Sequence, residues 1–151
     1  MGMFYKRRDY SQIVNGRNPI VAHEYLGNPV EGKDIFVADD IISSGESMLD
    51  LAYNLKNRKA GRIFTYATYA IFTNGLDKFD KAYEDGIIDG VFGTNLTYRS
   101  PELLSRPWFH EVDVSKYISY FIEAINHEVS ISKILDPHEK IEALLKKYGM
   151  K

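Results

Sequence analysis

The stretch Ile35-Phe36-Val37-Ala38-Asp39-Asp40-Ile41-Ile42-Ser43-Ser44-Gly45-Glu46-Ser47-Met48 decides how the rest of the chain is read. An apolar run meets two acids, two more apolar residues follow, and a short Ser/Gly turn leads into a helical pattern. Physically this predicts a buried parallel strand that delivers its C-terminal end to a loop at a helix N-terminus. In open α/β sheets ligands bind at that edge. Ser44, Gly45, Glu46 and Ser47 are placed to offer backbone N–H groups to an anion, and the serines add hydroxyl donors. Gly45 allows close approach or a positive φ. The following helix adds roughly half a positive charge at the same place. Asp39 and Asp40 repel a phosphate, so they suit sugar hydroxyls or a hydrated Mg²⁺, which takes one or two carboxylates and keeps its waters. The whole order points to a phosphorylated sugar with a divalent ion. Taken alone, a strand-end Asp and a Ser-Ser-Gly turn also serve as ordinary cap and turn signals.

Working outward, strands and helices alternate. Met48, Leu51, Ala52 and Leu55 recur at helical spacing, and Gly61 is the expected stop. Arg62 to Phe72 reads as a fully buried central strand, closed by the loop Thr73-Asn74-Gly75. Leu76, Phe79, Ala82 and Tyr83 mark a second helix ending near Gly86. Ile87-Ile88 and Val91-Phe92 read as the next strand, closed by Thr94-Asn95. Ser100-Pro101 starts a short helix, and Trp108 to Val114 reads as another strand. Ser115 is the expected cap of a helix with Ile118, Phe121, Ile122 and Ile125 on its buried face. Asp136-Pro137-His138-Glu139 reads as a capping box opening a last helix, with Ile141, Leu144, Leu145 and Tyr148 buried. Upstream, Met3-Phe4-Tyr5 predicts a strand running into the basic segment Lys6-Arg7-Arg8, and Ile20-Val21-Ala22 a second short strand. The alternation argues for an α/β fold around a mostly parallel sheet flanked by helices in three layers.

The 151 residues make one domain's worth of chain. A hydrophobic fraction of 44% and a charged fraction of 26% are ordinary for a globular protein. The net charge of −2 carries no footprint of nucleic-acid binding. The absence of Cys excludes a disulfide framework and thiolate metal sites. No apolar run approaches the ~20 residues of a membrane span, and the N-terminus lacks a signal-peptide core. A cytoplasmic protein without membrane or nucleic-acid partners is the expectation.

The quoted stretch resembles the ribose-phosphate binding motif of the type I phosphoribosyltransferase fold. From about Met3 to about Leu135 the chain resembles the C-terminal half of ribose-phosphate pyrophosphokinases. Lys6-Arg7-Arg8 is similar to that family's basic segment, whose Lys and the Arg two positions later serve catalysis, so the resemblance implies catalytic roles for Lys6 and Arg8. Glu31-Gly32-Lys33 matches its lead-in, Thr94-Asn95 its Thr-Asn/Asp pair, and Ile125-Asn126-His127-Glu128-Val129-Ser130-Ile131-Ser132 its ending. The family has Asp-Thr-Gly/Ala-Gly-Thr where this chain has Ser43-Ser44-Gly45-Glu46-Ser47. Hydroxyls persist at Ser44 and Ser47, Ser43 replaces a carboxylate, and the Glu46 side chain is expected to point away from the phosphate. The helix after Asp136 is additional.

The resemblance implies transfer of a diphosphoryl group from Mg-ATP to ribose 5-phosphate, giving phosphoribosyl pyrophosphate and AMP for nucleotide biosynthesis. It implies Mg²⁺ as cofactor, with Asp39 and Asp40 as its carboxylates, and a homo-oligomer. Ser43, Ser44, Gly45, Glu46 and Ser47 would hold the substrate with Asp39 and Asp40. Residues 1–151 then form one phosphoribosyltransferase-like domain, and the family's adenine-binding part and pyrophosphate loop precede the matched region. The chain alone is therefore expected to be inactive. Two rivals use similar elements. A base-salvage or regulatory phosphoribosyltransferase has the same loop, but the basic segment and the C-terminal match argue against it. A phosphorylation-dependent receiver module also places acids after an apolar strand, but its phosphoacceptor, Thr and Lys set is not found here.

Overall fold

The structure, a computed structural model, describes residues 2–8 and 20–149, with the backbone alone at 2–8, 20–24 and 133. The chain forms two compact units, Met1–Val112 and Asp113–Lys151.

In the first unit, β1 (Gly2–Arg8) and β2 (Ile20–Gly27) form an antiparallel hairpin. Then follow β3 (Ile35–Ile42), α1 (Glu46–Asn57), β4 (Ile63–Ala70), α2 (Asp77–Glu84), β5 (Gly90–Thr94), α3 (Pro101–Leu104) and β6 (Phe109–Val112). The four strands β3 to β6 make an all-parallel sheet in chain order. Right-handed crossovers in a sheet laid down in this order put every connecting helix on one face. On that face Met48, Leu49, Ala52 and Leu55 of α1 and Phe79 and Ala82 of α2 close over Ile63, Ala67 and Val91. The ring of Phe72 meets Phe79 edge-on at 4.9 Å, and Phe79 stacks on Trp108 at 5.6 Å. The Trp108 indole N–H donates to Asp80 Oδ1 at 2.7 Å, which satisfies the one polar atom of that ring.

The α/β fold with a parallel sheet is as the sequence predicts, but the helices that connect β3 to β6 lie on one face where three layers were expected, and two strands are less buried than expected. β3 is an edge strand: its run continues through Asp39 and Asp40 to Ile42, only Ile42 is fully buried, and Phe36 is 62% exposed. The cause is long-range, since β3 pairs on one side with β4 and on its other side with no strand among the described residues. β4 alternates, with Ile63, Thr65 and Ala67 buried and Phe64 and Tyr66 half-exposed. Phe36, Tyr66, Phe92, Phe64 and His110 form an aromatic ladder with neighbouring rings 4.9–6.3 Å apart.

Element ends also moved. The strand expected from Ile87 begins at Gly90, because Asp89 closes a turn first: its carboxylate accepts the Ile63 N–H at 2.7 Å and its own N–H donates to the Ile63 carbonyl. Trp108 belongs to the core and β6 ends at Val112. Ser100 caps α3 as expected, accepting the Leu103 N–H at 3.1 Å with Pro101 in the first turn.

The second unit holds α4 (Ser115–Asn126), α5 (Ser132–Leu135) and α6 (His138–Lys147). Ser115 opens α4 without capping it; Asp113 accepts its N–H at 2.9 Å. Before α6, Asp136 accepts the His138 N–H at 3.1 Å in place of a reciprocal capping box. The apolar stripes expected to be buried stay largely open: Ile122 and Ile125 are exposed, and α6 buries no residue. A unit this small has little surface on which to cover two helical stripes.

Candidate functional site

Because β3, β4 and β5 are parallel, the loops that follow them share one edge of the sheet. The loop after β3 is Ser43-Ser44-Gly45, and α1 begins at Glu46. Gly45 is the N-cap of α1 with φ +77°, and no side chain caps this helix. The glycine is required twice over. Its φ is one that L side chains rarely adopt, and a Cβ there would lie 2.2 Å from Phe79 Cε2. The ring of α2 therefore presses directly under the loop. Leu49 N–H donates to the Gly45 carbonyl at 2.9 Å, so α1 turns immediately after the loop, with its first-turn N–H groups aimed along the axis out of its N-terminus.

The Glu46 carboxylate pairs with Lys78 Nζ of α2 at 2.8 Å. This partner draws the charge toward α2. Sequence reasoning did not find Lys78, because nothing local joins it to Glu46. The next loop is stitched to the first. Ile71 and Phe72 N–H both donate to the Ile42 carbonyl, at 2.9 and 3.2 Å, and Thr73 N–H donates to the Ser43 carbonyl at 2.9 Å. Thr94, at the end of β5, is buried and donates to the Thr68 carbonyl at 2.6 Å, which fixes the third strand end.

Asp39 and Asp40 lie within β3, two residues short of its end, and both are exposed. Asp39 Oδ1 accepts the Asp40 N–H at 2.8 Å. Among the described residues no group of three or more His, Cys, Asp or Glu converges on a metal position. Two solvent-facing carboxylates still fit a hydrated Mg²⁺, whose waters supply most of its ligands. The structure thus places Ser43, Ser44 and Gly45 on the strand-end loop after the two acids, and Glu46 and Ser47 in the first turn of α1. Lys6 and Arg8 fall on β1, opposite His23 and Ile20, and their side chains lie outside the described residues, as does the segment 9–19 that follows.

Chemically, the edge offers an anion seat of backbone N–H groups and hydroxyls beside two exposed acids. Among known proteins, the ribose-phosphate pyrophosphokinase of Vibrio cholerae is 32% identical over 127 residues, which cover 82% of this chain and 40% of that protein. The ribose-phosphate pyrophosphokinase of Shewanella oneidensis is 31% identical over 123 residues, 80% of this chain and 38% of that one. The chain spans about two-fifths of the length of these curated relatives. Among solved structures, phosphoribosylpyrophosphate synthetase from Mycobacterium smegmatis superposes with a TM-score of 0.60 over 71% of this chain and 34% of that one. At 19% identity that is a likeness of fold. The family model of the phosphoribosyl synthetase-associated domain matches residues 12–136, a span that starts after Lys6 and Arg8 and ends before α6. That match takes in more than half of the sequence, and the chain belongs to the phosphoribosyl synthetase-associated domain family.

Proposed function

We propose that this chain is the sugar-phosphate-binding, C-terminal domain of a ribose-phosphate pyrophosphokinase. In that reaction the anomeric hydroxyl of ribose 5-phosphate attacks the β-phosphorus of ATP. A new oxygen–phosphorus bond forms, the bridge to the α-phosphate breaks, the hydroxyl proton is lost, and AMP leaves. Positioning and charge stabilisation do most of the work in such transfers. Ser44, Gly45, Glu46 and Ser47 seat the 5-phosphate with N–H groups and hydroxyls. Asp39 and Asp40 take the ribose hydroxyls, with Ser43 beside them. Lys6 and Arg8 stabilise charge on the transferring group. A Mg²⁺ held through Asp39 and Asp40 would neutralise phosphate charge when bound.

The observation that carries the reading is the conformation of Gly45: a left-handed N-cap with no capping side chain, packed on Phe79, following two exposed acids. An ordinary Ser cap, the simpler use of this sequence, is not what the loop forms. The test is calorimetric titration with ribose 5-phosphate, ATP and adenine, each with Mg²⁺. Ribose 5-phosphate is expected to bind and adenine not to. A chain that ignores ribose 5-phosphate overturns the reading.

We also infer a homo-oligomer working in the cytoplasm, the compartment of the proposed substrates. The edge of β3 that pairs with no strand among the described residues, together with the exposed Phe36, supports self-association. Light scattering that finds only monomer across a concentration series would remove that part.

A further inference from the structure

The loop after β4 reaches the sugar-phosphate loop through one polar side chain. Thr73 Oγ1 lies 3.4 Å from Ser43 Oγ, and Thr73 N–H holds the Ser43 carbonyl at 2.9 Å. Both residues are exposed, so the paired hydroxyls face solvent at the edge where the anion seat opens. The backbone that brings Thr73 there is unusual. Phe72, immediately before it, is buried yet has φ +52°, a conformation rare for a bulky side chain. Its ring is locked edge-on to Phe79, the same ring that lies under Gly45. One aromatic side chain therefore sets both loops, and a strained residue is retained in the turn that delivers Thr73 to Ser43.

We propose that Thr73 is a ligand-contacting residue of this site: its hydroxyl, beside that of Ser43, donates to a phosphorylated sugar seated on the loop 43–47. The inference rests on the sugar-phosphate reading and extends the site onto a second loop. The hydroxyl can donate to the ligand while accepting from Ser43. The backbone N–H contact, by contrast, is open to any residue except proline.

That difference makes the test. Thr73→Val keeps the branched shape and the N–H but removes the hydroxyl, and Thr73→Ser keeps the hydroxyl. With ribose 5-phosphate titrated into each folded protein, Thr73→Val is expected to weaken binding about tenfold and Thr73→Ser to stay within about twofold of the parent chain. Thermal unfolding midpoints should agree among the three. Equal affinity of Thr73→Val and the parent overturns the proposal, and so does a Thr73→Ser variant as weak as Thr73→Val, since shape would then be what matters. A parent chain that does not bind ribose 5-phosphate removes the functional reading and this inference together. A parent that binds, with Thr73→Val unchanged, removes only the inference.

Discussion

Gly45 and Phe79 share one space: the hydrogen on the glycine's Cα occupies the position where a Cβ would sit 2.2 Å from the ring's Cε2. Replacing Gly45 by Ala forces two costs. The φ of +77° disfavours an L side chain by about 1–2 kcal/mol. Overpacking against a buried ring adds about 1–3 kcal/mol. Gly45→Ala should therefore lower stability by roughly 2–5 kcal/mol in urea unfolding. Part of the loss should return in a Phe79→Leu background, where the ring is gone. Strict additivity of the two substitutions would mean that the ring does not shape the loop.

Ser44 and Ser47 are expected to donate to the 5-phosphate. Losing a hydrogen bond to a charged group costs about 1.5–3 kcal/mol. Ser47→Ala should therefore weaken ribose 5-phosphate by about ten- to 150-fold. A folded Ser44→Ala/Ser47→Ala double variant with undiminished affinity would take the phosphate away from this loop.

The two acids separate sugar from phosphate. Asp39 and Asp40 are exposed, so Asn at either position should leave the unfolding midpoint nearly unchanged. Both variants should lose affinity for ribose 5-phosphate while inorganic phosphate binds as before. Should both ligands weaken equally, the acids shape the loop and do not read the sugar.

Much of this edge was legible in the sequence, for local reasons. The helical spacing of Met48, Ala52 and Leu55, the cap at Ser100, and the glycine demanded at position 45 are set by residues close in the chain. What was not legible depends on distant partners. β3 reads as buried because its residues are apolar, yet its exposure follows from which strands pair. The expected helix stop at Gly61 comes earlier, where Lys59 takes φ +60° and its N–H donates to the Lys56 carbonyl. The meeting of Thr73 with Ser43, and of Lys78 with Glu46, joins residues about thirty apart, and no local pattern records it. Strand-end position was the one available signal for Thr73.

The turn into β3 should respond to acid. Arg62 donates to Asp34 Oδ2 from Nη2 at 2.6 Å and from Nε at 3.1 Å, while its backbone N–H donates to Oδ1 at 3.0 Å. These side-chain and then backbone hydrogen bonds hold the Asp34 carboxyl below its usual range. A depressed carboxyl stabilises the fold above the unfolded value, about 3.9, and the contribution is lost as pH falls through the lower folded value. Asp34→Asn should therefore flatten the pH dependence of the unfolding midpoint below about pH 4 and alter it little in slope near neutrality. The pair is exposed, so the amplitude should shrink in high salt. A variant whose acid limb matches the parent's would show that the pair does not couple to folding.

The last expectation concerns turnover. Diphosphoryl transfer needs both substrates in line, and such positioning is worth about 7–11 kcal/mol. The described residues carry one strand-end loop with a left-handed glycine cap behind two acids, the loop after β3. The sequence offers no second Gly-rich turn after an apolar strand upstream of Ile35. The curated relatives are about two and a half times as long as the region they share with this chain. Ribose 5-phosphate should therefore bind to the 151-residue chain without being converted, and AMP release from Mg-ATP should stay at background. Supplying the remaining part of a relative, fused or in trans, should restore AMP formation, and Lys6→Ala or Arg8→Ala should abolish the restored activity. Sustained AMP formation by the purified chain, lost on Lys6→Ala, would mean that one strand-end loop and the β1 cations suffice to align both substrates.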